Sequence, residues 1–137
     1  MYLNTKITKT KKKSCVYLLK KKFAINSLFN LIFLINFSLQ KFIKEILVYK
    51  NEITLLINNQ GCCEFLFLFL KKHFKCQFNS LVDICAIDDY SMIATKKRFN
   101  LNYSLLSVKY KIRVRLKFYC DALDGISSIS NIFLAAN

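Results

Sequence analysis

The chain has 137 residues, enough for one packed domain. Its hydrophobic share of 54%, with 13 Phe, excludes an intrinsically disordered polypeptide. Against 8 acidic residues stand 22 basic ones, a net charge of +14, which calls for an anionic partner: nucleic acid, a lipid surface or an acidic neighbouring protein. With no Pro, no Trp and 2 Gly, a Gly-rich phosphate-binding loop is also excluded. The dominant residues are Phe, Ile, Asn, Lys, Leu and Tyr, which A/T-rich codons encode, as in an organelle's genome. Part of the lysine excess is then coding bias rather than function.

Met1 to Lys22 is basic and polar, with Lys11-Lys12-Lys13 and Lys20-Lys21-Lys22, and reads as a solvated tail or a phosphate- or lipid-binding arm. It carries no Arg, against a transit peptide, and no small-residue cleavage site of a secretory signal. Phe23 to Leu47 reads as an amphipathic packing helix. At about 100° per residue, Leu28, Ile32, Ile35, Leu39, Phe42 and Ile43 gather on one side, and Asn26, Asn30, Asn36, Gln40, Lys41 and Lys44 on the other. Phe33, Leu34 and Phe37 blur the polar side, and a membrane span remains the competing reading.

Ile46 to Asn58 reads as a hairpin turning at Lys50-Asn51-Glu52, with Asn51 suited to positive φ. Asn58-Asn59-Gln60-Gly61 breaks the run and supplies a candidate helix cap. Cys62 to Phe74 is apolar on nearly all sides up to Leu70. Its length and its Lys71-Lys72-His73 end favour a buried helix over a buried strand. Gln77 to Asp88 is a further extended segment, and Asp89 to Lys97 a connection.

The clearest pattern follows. In Lys111 to Phe118, Ile112, Val114, Leu116 and Phe118 share one face of a strand, and Lys111, Arg113, Arg115 and Lys117 share the other. Phe99, Leu101, Tyr103 and Leu105 alternate likewise with Arg98, Asn100, Asn102 and Ser104. Two such runs predict an antiparallel pair with one apolar and one wet, positive face. Asp121 to Gly125 reads as a turn and Ile126 to Leu134 as a short helix.

Few residues offer chemistry. Cys15, Cys62, Cys63, Cys76, Cys85 and Cys120 read as free thiols of a reducing compartment. Cys62, Cys63, His73 and Cys76 lack a C-x-x-C pair, so their spacing argues against zinc. His73, the one histidine, has no nucleophile–base–orienter set around it. Asp83 and Asp88 point to opposite faces of a strand, which argues against a paired acid and base. That leaves the row Lys111, Arg113, Arg115 and Lys117, spaced about 7 Å apart. It suits a phosphate backbone or an acidic protein surface, or it protects an exposed sheet edge.

From Lys41 onward the chain resembles the N-terminal domain of NADH dehydrogenase subunit 9, the NuoC family of respiratory complex I. The resemblance is carried by Phe42-Ile43-Lys44-Glu45-Ile46, Tyr49-Lys50-Asn51-Glu52-Ile53, Cys76-Gln77-Phe78 and Leu81-Val82-Asp83-Ile84-Cys85-Ala86-Ile87-Asp88. It continues through Arg98-Phe99-Asn100-Leu101-Asn102-Tyr103-Ser104-Leu105-Leu106-Ser107, Ile112-Arg113-Val114-Arg115 and Ile129-Ser130-Asn131-Ile132-Phe133-Leu134-Ala135-Ala136-Asn137. Two departures stand out. The family's Trp-, Glu- and Arg-rich continuation does not follow Asn137, leaving a shortened subunit or a separate chain that supplies it. The basic stretch Met1–Lys22 is also foreign to the family.

The resemblance implies an α+β fold, a small mixed or antiparallel sheet with packed helices, as one domain over residues 23–137 behind a basic tail over 1–22. It implies a non-catalytic structural subunit in the peripheral arm (quinone module) of mitochondrial complex I, on the matrix side of the inner membrane. It implies no cofactor on this chain, with flavin and iron–sulfur clusters on neighbouring subunits. Partners would be the large quinone-module subunit and cluster-bearing neighbours, with Lys111, Arg113, Arg115 and Lys117 as docking residues and no nucleic acid. Two alternatives stay open: a mitochondrial ribosomal protein with that row on rRNA, and a small membrane protein anchored by Phe23–Leu39.

Overall fold

A computed structural model describes residues 5–7, 26–50, 52–58, 60–90, 97–123 and 125–136. Six strands form one mixed sheet: β1 (Thr5–Ile7), β2 (Ile43–Tyr49), β3 (Glu52–Ile57), β4 (Ser80–Asp88), β5 (Phe99–Ser107) and β6 (Ile112–Cys120). Their order is β1-β2-β3-β6-β5-β4. Only β3 and β6 run parallel; the other neighbours are antiparallel. Among the described residues two helices, α1 (Asn26–Ser38) and α2 (Cys63–Lys72), join the sheet in the α+β fold that the sequence implied.

Alternation places the core. Ile46 and Val48 of β2, Ile53, Leu55 and Ile57 of β3, Leu101, Tyr103 and Leu105 of β5, and Ile112, Val114, Leu116 and Phe118 of β6 are buried. Leu28, Leu31, Ile32 and Ile35 of α1 and Leu66, Phe67 and Leu70 of α2 join them in one cluster. Burying a Leu, Ile or Phe side chain contributes about 1.5–3 kcal/mol, so this cluster dominates the stability. Phe67 packs edge-on against Tyr103 at 5.0 Å and against Phe133 at 6.0 Å. The paired runs of β5 and β6 thus form the antiparallel ladder that their alternation predicts, in register from Phe99↔Cys120 to Ser107↔Ile112.

Several sequence-based expectations are corrected. The first helix ends at Ser38, not Leu47, because Ile43 onward pairs with β3. Leu28, Ile32, Ile35 and Leu39 do face the core, while Phe33 and Phe37 stack on each other at 6.4 Å on the outside. No helix among the described residues is long and apolar enough to cross a membrane. In the β2–β3 turn the positive φ, 45°, belongs to Lys50; Asn51 lies outside the described residues.

Asn58 does not cap α2. A short 3-10 turn, Gln60–Cys62, leads in, and Cys62 takes the cap position without a side-chain hydrogen bond; Asn59 lies outside the described residues. Lys71 and Lys72 do occupy the last turn, where cations offset the helix dipole. Ile126 to Leu134 is not a helix. It is an irregular segment with a turn, Phe133 N–H donating to the Ile129 carbonyl at 2.8 Å, followed by a 3-10 turn at Leu134–Ala136. This segment is held by side chains: Lys71 donates to the Ile132 carbonyl, and Ile129, Ile132 and Phe133 are buried.

The basic stretch at the N-terminus is not tail throughout. Thr5–Ile7 pairs with β2, from Thr5↔Val48 to Ile7↔Ile46. The rest of residues 1–22 lies outside the described residues, as does most of the connection after Asp89.

Candidate functional site

The basic row rises from the same alternation that builds the core. With Ile112, Val114, Leu116 and Phe118 inward, Arg113, Arg115 and Lys117 must emerge on the face opposite the helices. Lys111 precedes the strand, in the turn from β5, with φ of 54°. All four are exposed except Lys117, which is half-buried with its ammonium 5.4 Å from the Tyr119 ring.

The location of β6 settles one question. It lies between β3 and β5, inside the sheet. Its cations therefore do not protect an edge, and that reading of the row is withdrawn.

Two groups that the sequence pattern did not connect to the row stand beside it. The parallel register sets Glu52 opposite Arg113, and its carboxylate lies 3.9 Å from the Arg113 and 3.7 Å from the Arg115 guanidinium. Exposed pairs at such distances contribute about 0–1 kcal/mol, so Glu52 orients the arginines more than it neutralises them. Lys50 meets Lys111 and Arg113 around an open depression of about 390 Å³, floored by Leu106 and Val108. Nothing local revealed Glu52 or Lys50, because the contact depends on β6 inserting beside β3, a pairing between residues far apart in sequence. A second depression of about 210 Å³ crosses the sheet from Arg113 and Arg115 over Ser104 to Asp83.

Among the described residues, the remaining candidates stand apart from one another; Cys15 lies outside the described residues. Among the described residues, no three His, Cys, Asp or Glu side chains stand together as a metal site. Burial pushes the Cys63 thiol up to about 12, helped by neighbouring Cys62, and burial alone does the same to Cys76. Both thiols are thereby held protonated, the wrong state for a nucleophile or a ligand. His73 ends α2, stacked between Phe69 at 4.8 Å and Phe74 at 4.9 Å. Its Nδ1 accepts from the Lys75 N–H at 3.3 Å and lies 3.8 Å from the Cys76 sulfur, a structural use of the ring.

Asp83 and Asp88 do face opposite sides of β4. Asp88 takes a two-pronged pair from Arg98, whose hydrogen bonds hold its carboxyl below the usual carboxylate range. Arg98 also stacks on Tyr90, 4.4 Å from the ring centre.

A mixed sheet with helices on one face and a cationic patch on the other defines an α+β domain. Residues 58–137 match the family described as the respiratory-chain NADH dehydrogenase, 30 Kd subunit, and the chain belongs to that family. It is 38% identical over 96 residues to NADH-ubiquinone oxidoreductase subunit 9 of Reclinomonas americana, covering 70% of this chain and 45% of that protein. It is 35% identical over 100 residues to the mitochondrial NADH-ubiquinone oxidoreductase 30.4 kDa subunit of Neurospora crassa, covering 72% and 34%. Against NADH dehydrogenase [ubiquinone] iron-sulfur protein 3 of Beta trigyna it is 41% identical over 71 residues, covering 52% and 35%. The chain thus spans less than half the length of these relatives.

Proposed function

We propose that the chain is a non-catalytic structural subunit of the peripheral arm, the quinone module, of mitochondrial respiratory complex I. It docks acidic neighbouring subunits through Arg113, Arg115 and Lys117, with Lys111 at the turn. The placement of these cations carries the reading: Arg113, Arg115 and Lys117 stand on an inner strand, opposite the helices, with Glu52 beside the two arginines. Family membership and the names of the relatives support it, since those names are of NADH–ubiquinone oxidoreductase subunits, some of them mitochondrial.

The chain's work is then to hold neighbours in register, so that flavin and iron–sulfur clusters on other subunits keep the spacing electron transfer from NADH to ubiquinone requires. One relative is named an iron–sulfur protein. The described cysteines here do not fit a cluster, being scattered, with Cys63 and Cys76 held protonated by burial. The favoured location is the matrix side of the inner membrane. Rim charges of this kind steer and orient an interface more than they hold it.

The test reverses the charge. Arg113→Glu with Arg115→Glu changes exposed side chains only, so the fold and melting temperature should hold within a few degrees, while the peripheral arm fails to assemble on native gels. Normal assembly of a folded variant would remove the docking role.

A further inference from the structure

Given the docking role proposed above, on which this rests, we infer that the depression between the β2–β3 and β5–β6 turns takes a carboxylate side chain of a neighbouring polypeptide. An apolar side chain of the same segment lies beside it.

β3 and β6 run parallel, side by side, so the turns that lead into them stand together at one end of the sheet. Lys50 comes from the first turn and Lys111 from the second. Arg113, opposite Glu52 in the register, completes the rim. Leu106, opposite Arg113 on β5, and Val108 form the floor of a space of about 390 Å³, with Val108 68% exposed. Of the three described non-glycine residues with positive φ, two are these lysines, at 45° and 54°. Most side chains are disfavoured in that region, and Asn bears it better than Lys. Codons for Asn are as A/T-rich as those for Lys, so coding bias does not explain lysine at both turns. The ammonium groups, gathered around one depression, do.

The chemistry of the rim selects the occupant. Three cations stand with one carboxylate, Glu52, which lies between Arg113 and Arg115, so the rim keeps an excess of positive charge. A guanidinium fork and two ammonium groups match a carboxylate, and exposed Val108 calls for an apolar contact next to it. A phosphate backbone following the row would run over Glu52, and a planar lipid surface would not enter a depression between two turns. This chain does not supply the group. Among the described acidic residues Glu52 alone lines the depression. Residues 8–25 and 91–96 carry Lys and no Asp or Glu, so they bring no counter-charge. Asp124, the one acidic residue outside the described residues, follows the far end of β6 in sequence.

The test is zero-length crosslinking with a carbodiimide, which joins an amine to a carboxylate only where the two touch. It is applied to the full chain in its native assembly, isolated by a tag. Lys50 or Lys111 should link to an Asp or Glu of one other polypeptide, next to an apolar residue of that segment. Lys50→Asn with Lys111→Asn removes both charges and relaxes both turns. The melting temperature of the isolated variant should hold or rise, while it leaves the assembly about tenfold faster than the native chain. Lys50→Arg with Lys111→Arg, which keeps the charges, should restore retention.

No link from either lysine, or links only to Glu52 of the same chain, would overturn the site. So would ultraviolet crosslinks from these turns to RNA, or an Asn variant retained as firmly as the native chain. The docking row is read separately, from Arg115→Glu with Lys117→Glu, which spares Lys50, Lys111 and Arg113. Failed assembly of that variant, with both lysines unlinked in the native assembly, would reject the depression and keep the row. Its normal assembly would reject the row and leave the crosslinks to decide the depression.

Discussion

Val114 is 1% exposed between two arginines that reach solvent, so one residue step along β6 separates the core from the cationic face. A charge placed there has no partner within the apolar cluster. Val114→Asp should cost several kcal/mol, on the order of 3 or more, read as a loss of denaturation midpoint; unchanged stability would mean that this face is not buried. The cysteines divide in the same way. Cys85 is exposed, whereas Cys63, Cys76 and Cys120 are buried, so Cys85 should alkylate in the native protein and those three only on unfolding. Equal labelling rates would contradict the packing.

The raised thiols also fix a direction with pH. In the unfolded chain Cys63 and Cys76 ionise near 9.0, and in the folded chain only near 12. Their contribution is therefore fully present below pH 9.0 and is lost as pH rises towards 12. Alkaline titration of the melting temperature should show a decline in that window, and Cys63→Ala with Cys76→Ala should flatten it.

Among the elements, α2 meets two layers, the sheet through Phe67 and Tyr103 and a second layer in the segment around Phe133, while its Phe65 stays 51% exposed. Phe67→Ala should cost about 3–5 kcal/mol, measured by chemical denaturation. A loss below about 1 kcal/mol would place Phe67 outside the core. The existence of α2 was legible because its length and its basic end are local signals. The helical reading of Ile126–Leu134 failed because its apolar residues serve that second layer, where buried Ile129, Ile132 and Phe133 and the Lys71 contact hold an irregular backbone.

The first helix overran for a related reason. Phe42 and Ile43 fit the helix stripe, yet the strand pairing with β3 claims Ile43. Positions that satisfy both periods are decided by pairing, which no local window contains. Glu52 and Lys50 were hidden by the same blindness, whereas Arg113, Arg115 and Lys117 were plain, since strict alternation needs nothing beyond its own strand.

For the whole molecule, one sheet face is spent on the core and the other carries the cations. A charge of +14 calls for an anionic partner. Composition foretold the charge but not its arrangement, because insertion of β6 between β3 and β5 sets the row inside the sheet. The most direct measurement is affinity purification of the tagged chain from detergent-solubilised mitochondrial membranes, with mass spectrometry of what accompanies it. Co-purification with the quinone-module and cluster-bearing subunits of NADH–ubiquinone oxidoreductase is the expected result, weakened by Arg113→Glu with Arg115→Glu. Co-purification with rRNA and ribosomal proteins, undiminished by the oxidoreductase's absence, would contradict it and make the basic row an RNA-binding face.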